Sequence, residues 1–133
     1  MVDGSFDPIH EGHIAYFKAA ATLGFPVLCN IAPDSWTLKK HRILLDVPRR
    51  AEVLQAIRYV SHVLIGCDST REALAVVKPR FFVKGADWLQ RGGIPQDELE
   101  VCGEVGTEVC YVDTVLNSSS DLLRNLSHPR EAF

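Results

Sequence analysis

An α/β fold, one open parallel sheet with helices on both faces, is predicted from three observations. Helix-like and strand-like segments alternate along the chain. The stretch at residues 26–31 (Pro-Val-Leu-Cys-Asn-Ile) reads as a strand buried in the sheet. The 133 residues contain no repeat, low-complexity tract or linker, so they fit one domain. The expected architecture is a single Rossmann-like domain over residues 1–133, with ligands bound beyond the carboxyl ends of the strands.

The elements follow from local signals. Residues 11–24 predict a helix, because Ile14, Phe17 and Ala21 recur at helical spacing and Gly24 suits its stop. The buried strand at 26–31 comes next, and the mixed charges of 34–46 read as a loop. A helix over 48–59 is opened by Asp46 as cap and Pro48 in the first turn. A short apolar strand spans 61–66, and a helix capped by Ser69 or Asp68 runs to Lys78. Residues 80–84 form a strand ended by Gly85, and a helix over 97–106 stops at Gly106. Residues 108–112 form a further strand, and 118–126 a closing helix with serines at its start. The strand-to-helix turns, where chemistry is expected, are residues 3–13, 84–88 and 117–120.

Composition narrows the function. A hydrophobic content of 47% and a charged content of 23% are ordinary for a soluble globular protein. The formal net charge of -3 argues against charge-driven binding of nucleic acid, which needs a basic face. No apolar stretch approaches the roughly 20 residues of a membrane span, and no signal peptide is visible. Cys29, Cys67, Cys102 and Cys110 form no C-x-x-C pair, so they read as small buried hydrophobes suited to a reducing, cytoplasmic setting rather than as a zinc site.

The first turn reads Gly4-Ser5-Phe6-Asp7-Pro8-Ile9-His10-Glu11-Gly12-His13. Gly4 permits close backbone approach, and Pro8 stiffens the turn. His10 lies at the mouth of the following helix and His13 three residues on, so both rings share one face. Free backbone N–H groups and the helix dipole favour an anion there. Gly12 removes a side chain between the rings. The bland reading is a pair of capping or surface histidines. Metal ligation is disfavoured, since zinc helices use spacing four and add further ligands.

The full string resembles the signature of the cytidylyltransferase-like nucleotidyltransferases, which carry an HxGH motif. The similarity covers nearly the whole chain. Leu38-Lys39-Lys40-His41-Arg42, Arg50 and Ile57-Arg58-Tyr59-Val60 resemble the middle of glycerol-3-phosphate cytidylyltransferases. Phe82-Val83-Lys84-Gly85-Ala86-Asp87-Trp88 is similar to the adenylyltransferase domain of ADP-heptose synthases, and Asn117-Ser118-Ser119-Ser120 to the family's late Ser/Thr-rich motif.

The resemblance implies in-line attack of an acceptor phosphate on the α-phosphorus of ATP or CTP, with release of pyrophosphate. His10 and His13 match the phosphate-contacting histidines, and Lys40 a phosphate-binding lysine that Lys39 could replace. These three, His10, His13 and Lys40, are the expected catalytic residues. Arg42 matches a second basic position; outside the family frame, residues 39–42 read as a solvated loop. Gly4, Ser5, Phe6 and Gly12 belong to the expected nucleotide site, as do Lys84, Gly85, Asp87 and Trp88 near base and ribose. Trp88 covers the base or packs in the core; both readings stand. Ser118, Ser119 and Ser120 match the hydroxyls that hold the β- and γ-phosphates, with capping as the simpler alternative. Asp7 is expected to brace the loop, His41 to touch phosphate, and His62 to be structural. Mg²⁺ is expected on the triphosphate without a protein cage. Relatives of this size are commonly dimers, although the sequence shows no decisive surface stripe.

The sequence departs from the family in two places. Glycerol-3-phosphate cytidylyltransferases carry an arginine shortly before the Ser/Thr motif, and residues 113–116 have none. With the Lys84–Trp88 string, this tips the expectation toward ATP and a sugar phosphate, over a CTP-dependent enzyme for a polyol or amino-alcohol phosphate. A catalytically weak nucleotide-binding module is the alternative of another class. Secondly, only Met1 and Val2 precede Asp3 and Gly4, where relatives carry a run of about five apolar residues, the length of an average strand. A chain lengthened upstream by its native residues is therefore expected to melt at a markedly higher temperature; equal melting removes that expectation.

Overall fold

A computed structural model describes residues 1–113 and Leu123. Within residues 1–113, five parallel strands and six helices alternate: β1 (Val2–Gly4), α1 (Glu11–Ala21), β2 (Leu28–Ile31), α2 (Asp34–Thr37), α3 (Val47–Gln55), β3 (His62–Leu64), α4 (Thr70–Val77), β4 (Phe81–Gly85), α5 (Asp87–Gln90), α6 (Gln96–Val105) and β5 (Glu108–Val112). β1 pairs with β2 and β2 with β3, while β4 pairs with β5. The two groups meet at Met1, whose ammonium donates to Phe81 O (2.6 Å) and whose carbonyl accepts from Val83 N (2.9 Å). The spatial order is therefore β3-β2-β1-β4-β5, and the order reverses between β1 and β4, where such sheets bind ligands. The first strand is three residues long and pairs along its length with β2.

Alternating side chains divide the interior into two cores. Val2, Cys29, Ile31 and Val83 pack with Phe17 and Ala20 of α1 and with Ala51 and Leu54 of α3. Met1 and Phe82, with the partly buried Leu28, pack with Ala73 and Leu74 of α4 and with Val101 and Cys102 of α6. Helices thus cover both faces. Cys29, Cys67 and Cys102 are buried, and all four cysteines are free thiols.

The caps follow the sequence signals. Asp46 accepts from Arg49 N (3.2 Å), and Ser69, rather than Asp68, accepts from Glu72 N (3.1 Å). Gly106 ends α6 with φ 76. Two four-residue helices depart from expectation: α2 inside the predicted loop, and α5 directly after β4. The predicted closing helix at 118–126 lies outside the described residues, apart from Leu123. No helix among the described residues is long and apolar enough to cross a membrane.

Arg50 of α3 is 1% exposed and joins three segments that share no sheet pairing. Its guanidinium donates to Ser5 O (2.6 Å), Ala32 O (3.1 Å) and Leu45 O (3.0 Å), and pairs with Asp34 Oδ1 (2.5 Å). Arg50→Ala strands three carbonyls and empties a core position, so it should cost about 3 kcal/mol or more of stability by chemical denaturation. A variant that unfolds at the wild-type denaturant midpoint would contradict this role.

Candidate functional site

A cleft of about 1190 Å³ opens beyond the carboxyl ends of β1, β2 and β4. The loop from β1 to α1 forms its upper wall. Phe6 holds φ 52, a left-handed conformation rare for a bulky residue. Its ring covers Gly4 so closely that a Cβ there would lie 3.0 Å from the ring tip. Glycine at position 4 therefore lets Phe6 fold inward, where it meets Phe17 (5.2 Å) and the edge of His13 (5.0 Å). Asp7 is fully buried and accepts from Leu44 N (2.8 Å) and Leu45 N (2.9 Å), so it does brace the loop. Thr37 Oγ1 donates to Ser5 Oγ (3.0 Å), which fixes a second lining residue.

His10 and His13 stack with ring centroids 3.8 Å apart. Both cap α1: His10 Nδ1 accepts from Gly12 N (3.0 Å), and His13 Nδ1 accepts from His10 N (3.2 Å). Capping was the bland reading of these residues, yet it also assigns their chemistry. A ring nitrogen that accepts an N–H carries no proton, so the neutral imidazole places its hydrogen on Nε2. Burial, and then the neighbouring His10, lower the pKa of His13 to about 3. Burial also lowers that of His10, against the opposing charge of Glu11. The helix start therefore presents two neutral N–H donors at pH 7. His10 Nε2 is out of solvent and meets no hydrogen-bond partner among the described residues.

The basic loop lines the same cleft. Lys39 and Lys40 hold their ammonium groups 5.3 and 5.7 Å from the ring centre of the exposed Trp36. Partial burial, and then the charge of Lys84, lower the pKa of Lys40. His41 also lines the cleft, whereas Arg42 is exposed and lies off its lining. His62 is exposed on β3.

The opposite wall is built by β4 and α5. Lys84 is 6% exposed and pairs with Asp3 Oδ1 (2.7 Å), with its ammonium 4.4 Å from the centre of the Trp88 ring. Trp88 packs against the second core and also lines the cleft. Gly85 and Asp87 line the cleft, and Asp87 pairs with Arg91 at the surface (3.4 Å). Ser118, Ser119 and Ser120 lie outside the described residues. The structure thus gathers Gly4, Ser5, Phe6, His10, Gly12, His13, Lys40, Lys84, Gly85, Asp87 and Trp88 around one space. Among the described residues, no three His, Cys, Asp or Glu side chains gather as a metal cage.

Sequence reasoning missed several lining residues: Asp3, Tyr16, Asn30, Trp36, Thr70 and Glu98. Asp3 and Asn30 sit in the strands that lead to the cleft, so position alone was the available signal. Glu98 is brought in by the turn into α6. Burial, reinforced by the charge of Asp3, raises its pKa to about 7, although Lys84 opposes the shift.

The cytidylyltransferase-like family profile matches residues 1–124. The bifunctional protein HldE of Pelobacter propionicus is 30% identical over 117 residues, 85% of this chain and 24% of that protein. The FAD synthase of Pyrococcus abyssi is 38% identical over 92 residues, 65% of this chain and 62% of that protein. The chain therefore spans about a quarter of its HldE relative's length. The crystal structure of the lipopolysaccharide core biosynthesis protein of Thermoplasma volcanium superposes with a TM-score of 0.67 at 25% identity, covering 89% of this chain and 96% of that one.

The lowered pKa of His13 has a pH signature. Between pH 6.5, the ordinary histidine value, and about 3, the unfolded chain takes up a proton that the folded chain refuses. Stability from this group is present above 6.5 and lost as pH falls toward 3. Glu98 acts in the opposite sense, its contribution fading as pH rises from 4.5 to about 7. Melting temperatures measured from pH 7 to pH 4 should therefore fall less steeply for His13→Gln than for wild type. Parallel curves would show that the ring is not held neutral.

Proposed function

Because the chain belongs to the cytidylyltransferase-like family, we propose that it is a nucleotidyltransferase that moves AMP from ATP to the phosphate of a small sugar-phosphate acceptor. The observation that carries this reading is the pair of stacked, neutral imidazoles at the start of α1, both in the cleft lining together with Lys40.

An acceptor phosphate oxygen attacks the α-phosphorus of the nucleotide. The bond from that phosphorus to the bridging oxygen breaks, and its electron pair leaves with pyrophosphate. No protein nucleophile is needed, so the protein's task is positioning and charge stabilisation. His10 and His13 donate to phosphate oxygens as negative charge moves toward the leaving group. Lys40 supplies positive charge beside them. Ser118, Ser119 and Ser120 are assigned to the β- and γ-phosphates on family resemblance alone. Mg²⁺ would ride on the triphosphate, bound through phosphate oxygens and water.

Support for ATP comes from the FAD synthase relative and from the likeness of Lys84–Trp88 to adenylyltransferase domains. Support for a sugar phosphate comes from that same likeness and from residues 113–116, which lack the arginine of glycerol-3-phosphate enzymes. A pyrophosphate-release assay with ATP or CTP and a panel of sugar phosphates tests the reading. His13→Ala should lower kcat by about 100-fold or more, as loss of a transition-state donor does, with the fold retained by circular dichroism. Lys40→Ala should weaken ATP binding about tenfold, the loss of roughly 1.4 kcal/mol from a phosphate contact. Near-normal turnover in the histidine variant would remove the assigned role. ATP binding by wild type without pyrophosphate release would mark a binding module instead.

A further inference from the structure

Met1 and Phe82 face the core under α4 and α6, with Leu28 packed against them. Two residues further along each strand, the same sheet face carries Asp3, Asn30 and Lys84. Asp3 and Asn30 are register partners, and β1 lies beside β4. An apolar row therefore gives way to a polar row, Asn30–Asp3–Lys84, at the carboxyl ends of three neighbouring strands. All three residues line the cleft.

Two members of the row are satisfied within the protein. Asp3 accepts from Lys84 Nζ (2.7 Å) and from Thr70 Oγ1 (2.8 Å). Asn30 differs. It is 3% exposed, and its Oδ1 meets no hydrogen-bond partner among the described residues. A buried acceptor without a donor is costly, and native proteins carry few of them. A donor brought by a ligand removes the cost.

The neighbours decide what kind of donor fits. A cationic headgroup would seek a carboxylate and an aromatic face. Here the ammonium of Lys84 already occupies both, at 2.7 Å from Asp3 and 4.4 Å from the centre of Trp88. A second cation would meet that ammonium at close range. A hydroxyl carries no charge and donates one hydrogen, which matches the vacant acceptor.

We propose that Asn30 is the specificity-determining residue of the acceptor site, its Oδ1 accepting a hydrogen bond from a hydroxyl of a sugar or polyol phosphate seated on the polar row. The row thereby admits hydroxylated acceptors and rejects amino-alcohol phosphates. This inference rests on the nucleotidyltransferase reading of the cleft.

The test is calorimetry on wild type, Asn30→Ala and Asn30→Ser. Each protein is first saturated with the α,β-methylene analogue of ATP and Mg²⁺, then titrated with glucose 1-phosphate, glycerol 3-phosphate or phosphoethanolamine. At least one hydroxylated probe should bind wild type at least tenfold more tightly than phosphoethanolamine does. Asn30→Ala should weaken that probe about tenfold, the loss of one buried hydrogen bond, and Asn30→Ser should restore part of it. Affinity for the nucleotide analogue should stay within about twofold, and Asn30→Ala should melt no lower than wild type, since it removes an unpaired group. The proposal is overturned if phosphoethanolamine binds as well as the hydroxylated probes, or if neither hydroxylated probe binds. It is overturned equally if Asn30→Ala melts several degrees lower with probe affinity unchanged, which would make the residue structural. Failure of the nucleotide analogue to bind wild type would instead bring down the nucleotidyltransferase reading, and this inference with it.

Discussion

One buried guanidinium organises the upper half of this molecule. The loops after β1 and β2 carry much of the candidate site, and past the Ala32 N to Gly4 O bond the sheet does not hold them. Arg50 reaches both, donating to the carbonyls of Ser5, Ala32 and Leu45 and closing its charge on Asp34. A buried charge is tolerated only when its hydrogens are matched, and the fork of arginine can meet several oxygens at once. Asp7 acts as the counterpart from the other side, gathering the amides of Leu44 and Leu45. The histidine pair, the tryptophan of α2 and the basic loop hold their relative positions because these two side chains fix the chain between them.

The sheet assigns different work to its two faces. Under α1 and α3 the strand residues Val2, Cys29, Ile31 and Val83 are apolar, and that face is core. Under α4 and α6 the apolar residues lie toward the amino ends, and polar ones follow near the cleft. A three-residue β1 serves both functions at once. Val2 enters one core, Asp3 reaches Lys84 and Thr70, and Gly4 makes room for Phe6. Little of that strand is free to vary without touching either the core or the cleft.

Much of this was legible in the sequence, and the exceptions have physical causes. Alternating periodicities gave the α/β class, and Asp46, Ser69 and Gly106 marked helix ends because each supplies a local hydrogen bond or backbone conformation. The helices α2 and α5 were not legible: four residues make about one turn, too short for a repeat to register. Arg50 resembled a relative's arginine, but nothing local indicated that it is buried, since its partners lie up to 45 residues away in sequence. Asn30 hid inside an apolar run. Its polarity registers only beside Asp3 and Lys84, which reach it through sheet register rather than sequence order. Arg42 shows the converse, for likeness to a basic motif did not bring it to the cleft lining.

The way His10 and His13 close the first turn of α1 reaches beyond capping. Each ring spends one nitrogen on the backbone, and so the position of its single hydrogen is set by the fold before any ligand arrives. What the pair offers an anion is two oriented dipoles rather than a full charge. Mobile ions screen charges over distances of about 8 Å at physiological salt, but they do little to a short, directed contact inside a cleft. Salt should accordingly weaken an anion's contacts with the lysines more than its contacts with this helix start.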